Sequence, residues 1–242
     1  MMIGLTEAWA DRAADLARIH IEAIGGRERI EALAALRAHG MVIAGGQLVR
    51  FTMIAARPDR VRLETQAGGR TLVQATDGKE PPWEFDTGTW PPRYRDMAES
   101  NVKIFTADAE FDDPLVAGEK RGFTFDFAGE VNVDGRKFLR LLATRKLRET
   151  YSLLLDPDTY LISFRIEQRK TPGGRPMQIA TRFDDFRPVK GVLLPHEVTL
   201  IVDGKGTQQT KIERIDPNPQ ITAETFTRPK STAKAPAANE KE

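Results

Sequence analysis

The chain contains no cysteine. That excludes disulfides, thiolate zinc sites, a cysteine nucleophile and a lipid-modified N-terminal cysteine, but leaves the compartment open, because many exported proteins also lack disulfides. Charge of one sign is equally scarce in excess. The 36 lysines and arginines face 35 aspartates and glutamates, so a net charge of +1 provides no global field to attract nucleic acid or an anionic bilayer. No apolar run approaches the ~20 residues of a membrane-spanning helix. The start, MMIGLTEAWADRAADLARIH, has neither the basic residues nor the apolar stretch of a secretory signal. The expectation is either a cytoplasmic protein or a mature chain whose leader has been replaced by a methionine.

Histidine is nearly missing too, with three in the chain: His20, His39 and His196. They show no HxH, HExxH or carboxylate-plus-histidine spacing, so neither a metal nor another cofactor is expected. His196 stands in GVLLPHEV, where Gly191 supplies a turn, Pro195 occupies a position that can spare a ladder N–H, and alternation continues through Val198 and Leu200. A scaffold role at a strand entry is the reading, with catalysis by His196 and a nearby carboxylate as its rival. Asp112 and Asp113 in FDDPLV form a candidate acid/base pair, but Asp-Pro is a turn signal and adjacent side chains seldom point into one cleft. GxSxG, P-loop and GxGxxG contexts are absent, and the Gly-Gly pairs punctuate strands and a helix end. No enzymatic activity is expected.

What is present is enough apolar material, 40% of 242 residues, to build a substantial core in one domain. From Glu7 to Ile24, Trp9, Ala13, Leu16, Ile19, His20 and Ala23 recur at helical spacing, with Thr6 as a candidate N-cap and Gly25-Gly26 as the stop. Arg27 to Leu36 predicts a second, short helix. The period then changes from 3.6 to 2. Met41 to Ala44, Gln47 to Ala56, Arg60 to Ala67 and Arg70 to Thr76 predict an antiparallel meander joined by Gly- and Asp-rich turns. Pro81 to Asp96, with four prolines and two tryptophans, reads as a long connection, and Met97 to Phe105 as a short helix or irregular excursion. Further strands are predicted from Phe123 to Phe127, Phe138 to Thr144, Glu149 to Leu155, Leu161 to Arg169, Met177 to Phe183, Val192 to Val202 and Thr207 to Ile215. About eleven strands after two helices predict an α+β chain. Its curved antiparallel sheet forms an incomplete β-barrel, with the N-terminal helix covering the concave face. Residues 229–242, small, charged and proline-bearing, read as a disordered tail after a single domain spanning 1–228.

Several segments, read in order, resemble bacterial outer-membrane lipoprotein-sorting proteins of the LolA/LolB-like superfamily. They are IHIEAIGGRERIEALAALRAHG (Ile19 to Gly40), VRFTMIAARPDRVRLE (Val49 to Glu64), FDDPLVAGEKRGF (Phe111 to Phe123), DPDTYLI (Asp156 to Ile162), GVLLPHEV (Gly191 to Val198) and TKIERIDPNPQITAETF (Thr210 to Phe226). The resemblance implies an incomplete barrel with helices across its open side and an apolar cavity between them. It also implies a periplasmic carrier sheltering acyl chains of lipids or lipoproteins. Sheltering a CH₂ from water is worth ~0.8 kcal/mol, so a cavity for one or two chains holds a lipid without covalent chemistry.

On that reading the candidate ligand-facing residues are Leu16, Ile19, Phe51, Met53, Leu63, Phe123, Phe125, Ile162 and Phe164, with Leu16 and Ile19 closing the cavity. The pattern alone is the same for a cavity lining and a filled core. A different class of function, an envelope protein-interaction or stress-sensing module, would use the Trp83 to Tyr94 loop. It could instead use the basic cluster Lys137, Arg140, Arg145, Lys146 and Arg148, whose ordinary role is a solvated strand face.

Overall fold

The computed structural model describes residues 3–145, 149–171 and 174–229, and for residues 3–11, 100, 103, 119, 149 and 223 the backbone only. Residues 230–242 of the expected tail lie outside the described residues, as do Lys146 and Arg148. Helices α1 (Ile3–Ala23) and α2 (Arg27–Ala32) precede β1 (Ala35–Ala44), β2 (Gln47–Ala56), β3 (Arg60–Ala67) and β4 (Arg70–Thr76). The hairpin β5 (Trp83–Asp86) and β6 (Arg93–Asp96) leads to α3 (Glu99–Asp108) and α4 (Pro114–Ala117). Then follow β7 (Phe123–Val133), β8 (Arg136–Arg145), β9 (Glu149–Leu155), β10 (Ile162–Lys170), β11 (Pro176–Val189), β12 (Val192–Val202) and β13 (Lys205–Pro217). The strands form one antiparallel sheet in the order β6-β5-β4-β3-β2-β1-β13-β12-β11-β10-β9-β8-β7, open because β6 and β7 are its two edges.

The sheet has thirteen strands where the sequence predicts about eleven. The additional pair is β5 and β6, inside the segment read as irregular. Its prolines flank the strands instead of interrupting them, and Trp83 and Phe85 alternate with Glu84 and Asp86 at the two-residue period of a strand. A second difference lies at Leu33 to Leu36, predicted to finish α2. There the Asn218 side-chain oxygen accepts the backbone N–H groups of Ala34 and Ala35, and the Arg57 N–H donates to the Ala34 carbonyl. Tertiary pairing starts β1 six residues early and overrides the helical propensity of LAALRA.

By its contacts the chain divides into two compact units. The first comprises Met1–Leu33, Met41–Gln47 and Asp112–Glu213, and the second Ala34–Gly40, Leu48–Phe111 and Arg214–Glu242. In the second, Met53, Ala55 and Val61 on one sheet face pack with Phe105 and Ala109 of the α3 segment and with Phe111. On the other face Ala56 and Ile54 pack with Phe226 and Ile221, while Val73, Ala75 and Trp83 pack with Phe85 and Tyr94. Both faces are therefore covered. The Trp83 indole N–H donates to the Phe226 carbonyl at 2.9 Å, which ties the C-terminal segment down at a tryptophan that is 3% exposed.

In the first unit α1 is amphipathic: Ala13, Leu16, Ala17, His20, Ile21 and Ile24 are buried, and Arg12, Asp15, Arg18 and Glu22 are exposed. Ala13 and Ala17 let the helix approach closely, and Leu16 enters a cluster with Phe123, Leu139, Leu141, Ala143, Tyr151, Leu153 and Leu155. Each such large side chain removed from water contributes about 1.5–3 kcal/mol.

The helix ends in a Schellman arrangement. The Gly26 N–H donates to the Ile21 carbonyl and the Gly25 N–H to the Glu22 carbonyl. The next carbonyl, of Ile24, accepts the N–H of Leu193 at 2.7 Å. GVLLPHEV thus docks the end of α1 onto the β11–β12 turn. Gly25 is required there: its φ is +134°, and a Cβ would lie 2.3 Å from the Gly191 carbonyl oxygen. Gly25→Ala should destabilise the protein by about 2 kcal/mol and lower the thermal midpoint by roughly 4–8 °C. An unchanged calorimetric midpoint would contradict this docking.

Candidate functional site

On the face of the first unit that carries α1, the strand register lines up Phe127, Leu141, Leu153, Arg165, Thr181, Leu200 and Gln208 in one cross-strand row. The adjacent row holds Phe125, Ala143, Tyr151, Glu167, Ile179 and Val202. Coverage is graded along them. Over β8 and β9 the helix fills the space, leaving Leu141 and Leu153 at 0% exposure. Phe125, Phe127 and Phe183 pack against that cluster only partly buried, and Val198 and Leu200 on β12 are half-buried as well.

The helix is fixed to this face by a polar contact at its last turns. His20 is 2% exposed; its Nδ1 lies 2.8 Å from the Tyr160 carbonyl oxygen and its Nε2 3.3 Å from Asp113 Oδ2. A carbonyl oxygen can only accept, and so can an ionised carboxylate, so both ring nitrogens donate and the imidazole is the charged form. Burial of the ring opposes that charge, but the Asp113 carboxylate, by its field and its hydrogen bond, together with the Tyr160 carbonyl, overcomes the penalty and raises the His20 pKa above its ordinary value.

For Asp113, burial works to raise the pKa. The His20 cation and the N–H groups of Val116 and Leu115 outweigh it and hold the carboxyl below its ordinary value. Those N–H bonds make Asp113 the N-cap of α4, followed by Pro114 at the first helical position.

The carbonyl partner is set by the β9–β10 turn, DPDTYLI. Asp156 accepts the N–H groups of Asp158 and Thr159 and the Thr159 hydroxyl, and pairs with Arg136 at 2.9 Å. Burial works against this carboxylate, but these N–H and hydroxyl donors keep its pKa low. Tyr160 sits at a φ of 58°, with its N–H on the Asp156 carbonyl and its own carbonyl on His20. A His–Asp pair of this kind is not a base waiting for a nucleophile, since both ring nitrogens are occupied and the ring is shut off from solvent.

The sequence-predicted residues separate by unit. Leu16, Phe123 and Ile162 join one cluster in the first unit, with Phe125 packed against it and Ile19 half-buried on α1. Phe51, Met53 and Leu63 share one face in the second unit, where Met53 lies in the cluster with Phe105 and Phe111. Phe164 departs from the expected face. A bulge between Ile162 and Phe164 shifts the register, turning Phe164 to the opposite side, where it meets Phe138 edge-on at 5.5 Å.

His196 is buried, its Nδ1 3.0 Å from the Leu194 carbonyl, and His39 in the second unit contacts Thr52 Oγ1 at 3.1 Å. Among the described residues no three metal-ligating side chains converge. The basic cluster is not one face: Arg140 bonds Ser152 Oγ on one side, while on the other Arg145 lies 4.8 Å from the Phe123 ring centroid and Lys137 pairs loosely with Glu130. Sequence reading missed the His20–Asp113–Tyr160 contact. Its parts lie 93 and 140 residues apart along the chain, and only the co-occurrence of a histidine on an apolar helix stripe with an Asp-Pro cap hints at it.

No family model and no curated protein matches the chain. Solved structures do. A domain described as an outer-membrane lipoprotein-sorting protein from Vibrio parahaemolyticus aligns at TM-score 0.58 and 11% identity, over 90% of this chain and 97% of that one. The fold is that of the LolA superfamily. A DUF1329 family protein from Desulfovibrio piger aligns at TM-score 0.59 and 11% identity, covering 92% of this chain and 97% of that one. A LolA superfamily protein from Nitrosomonas europaea aligns at TM-score 0.52 and 10% identity, covering 86% and 97%. Among the described residues, no helix of this LolA-like chain is long and apolar enough to cross a membrane.

The His20 contact makes stability depend on pH in a defined way. With its pKa raised by folding, His20 contributes fully below about pH 6.5, and the contribution is lost as pH rises through the raised value. Asp113, with its pKa lowered, contributes fully above about pH 3.9 and is lost as pH falls through the lowered value. Denaturant melts should therefore show a contribution from the pair that is greatest between these limits and declines on the alkaline side. His20→Gln should lose about 1–3 kcal/mol at pH 6 and flatten the alkaline decline. Parallel pH profiles for the two proteins would refute the ion pair.

Proposed function

We propose that the protein is a non-enzymatic carrier or binder of acyl chains from lipids or lipoproteins, working in the bacterial envelope, with residues 1–228 as its folded domain. The observation that carries the reading is the graded face of the first unit. Beside the region that α1 fills, Phe125, Phe127, Phe183, Val198 and Leu200 remain partly exposed on the same side of the sheet. Apolar aromatics left half-covered next to a close-packed core are a ready surface for an acyl chain, which contributes ~0.8 kcal/mol per sheltered CH₂.

The LolA-like fold supports the reading by analogy, since a solved structure with this fold is described as a lipoprotein-sorting domain. It also supports a periplasmic location, with the cytoplasm as the alternative. The test is native mass spectrometry of the purified protein, followed by solvent extraction and uptake of a fluorescent acyl probe by the stripped protein. A stoichiometric acyl adduct and probe uptake are expected. Phe125→Glu and Phe183→Glu, shown folded by circular dichroism, should each weaken probe binding at least tenfold. A bare mass with no uptake would end the carrier reading.

One observation favours a second function, docking of an envelope protein partner. Trp90, at the tip of the β5–β6 hairpin, is 94% exposed. The hairpin beneath it is stiffened by Arg70 on Asp86 and Arg95 on Glu84. Pull-down of a defined envelope partner by the unmodified protein and its loss in Trp90→Ala, with acyl binding unaffected, would establish that role; no difference between the two proteins would remove it.

A further inference from the structure

At one end of the second unit the ends of β2, β3 and β4 and the tip of the β5–β6 hairpin come side by side. Arg50 pairs with Gln66 and Gln66 with Thr71. Thr71 in turn donates its N–H to the Thr87 hydroxyl at 2.8 Å and accepts the Thr87 N–H at 3.0 Å. Two apolar side chains stand out from this end. Leu48, two residues before Arg50 on the same face of β2, is 53% exposed, and Trp90 at the hairpin tip is 94% exposed; they are the most exposed large hydrophobics among the described residues. The turn beneath Trp90 is tied down, with the Gly88 N–H on Asp86 Oδ1 at 2.7 Å and the Thr89 hydroxyl on the Asp86 carbonyl at 2.9 Å.

Charge at this end has one sign. Residues 48–50, 66–71 and 86–93 contain a single carboxylate, Asp86, which is 3% exposed and has both oxygens on Arg70. Arg50 and Arg93 are exposed and form no ion pair among the described residues. The strand register sets Arg50 on one face of the sheet and Arg93 on the other. The near-zero net charge of the whole chain therefore conceals a local surplus, with a cation on either side of the protruding aromatic.

An indole is apolar in its body and polar at its N–H, and it settles at the boundary between lipid head groups and chains. A guanidinium matches a phosphate with two parallel hydrogen bonds, and basic side chains are drawn to an anionic leaflet within a Debye length of it. An aromatic anchor of a protein interface sits instead inside a ring of contacts that exclude water. Gly88, Thr89 and Pro91 beside Trp90 supply no such ring. A narrow tip with cations on both flanks fits a broad, flat, anionic surface met end-on.

We propose that this end of the second unit docks on an anionic phospholipid bilayer, with Trp90 and Leu48 entering the head-group layer and Arg50 and Arg93 taking lipid phosphates from the two sides of the sheet. This docking does not depend on what the first unit carries.

The experiment is sedimentation of the unmodified protein with sucrose-loaded vesicles, either phosphatidylcholine alone or phosphatidylcholine with one third phosphatidylglycerol. Binding to the anionic vesicles should exceed binding to the neutral ones at least tenfold, and should be lost at about 1 M salt, where the screening length is ~3 Å. Trp90→Ala, and Arg50→Gln combined with Arg93→Gln, each shown folded by circular dichroism, should each weaken anionic binding at least tenfold. Equal sedimentation with the two kinds of vesicle, or undiminished sedimentation of both variants, would overturn the proposal. Trp90-dependent capture of an envelope protein without any vesicle binding would overturn it in favour of protein docking. Docking is read from protein in the pellet and acyl carriage from labelled lipid held by protein in the supernatant, so either can fail without the other.

Discussion

A charged imidazole in a place without water needs an acceptor at each nitrogen, and that requirement organises the first unit of this molecule. His20 meets it with the Tyr160 carbonyl and the Asp113 carboxylate. Those two acceptors come from different parts of the chain, each shaped for the purpose. Asp113 is held by the N–H groups of the helix it caps, and Tyr160 by a turn wound around Asp156. Burial of Leu16 against Leu141 and Leu153 supplies the bulk of the attraction between α1 and the sheet, but hydrophobic burial is non-directional and tolerates rotation and sliding. Hydrogen bonds do not. The histidine therefore selects one rotation and one register of the helix from the several that would bury comparable apolar area.

The opposite end of the same contact is set by backbone alone. The Ile24 carbonyl, left over after the Schellman closure, is used by Leu193, and the absence of a side chain at Gly25 lets the turn at Gly191 come close enough for that bond. Helix, cap and turn thus share polar groups that each would otherwise leave unsatisfied. An arrangement with these dependencies opens as a whole or not at all.

The two units solve the problem of a one-sided sheet differently. In the second, α3 covers one face and the Ile221–Phe226 segment the other, and the buried acids Glu84 and Asp86 are matched by Arg95 and Arg70. In the first, the cover is uneven: Leu141 on β8 and Leu153 on β9 are fully buried, while Phe125 and Phe127 on β7, Phe183 on β11 and Val198 and Leu200 on β12 are half-covered.

Alternation of apolar residues and the spacing of Gly and Asp turns made most strands legible from the sequence, as they did the helical stripe of Ala13, Leu16 and Ala17 and the stop at Gly25-Gly26. Local chemistry was sufficient for these because each depends on residues within a few positions of one another. His196 likewise finds its partner locally, in the Leu194 carbonyl two residues away. Beyond that range the pattern failed in physically definite ways. β1 starts early because Asn218 reaches back to Ala34 and Ala35; β5 and β6 exist because prolines frame them; Phe164 changes face because one extra residue at Ser163 breaks the two-residue period. What the sequence by itself determined was the kind of sheet, its turns and the helix that would cover it, all set by short-range periodicity. Which part of the apolar face is filled and where His20 finds its acceptors were decided only by tertiary structure, because register, bulges and partners separated by a hundred residues leave no local mark on the chain.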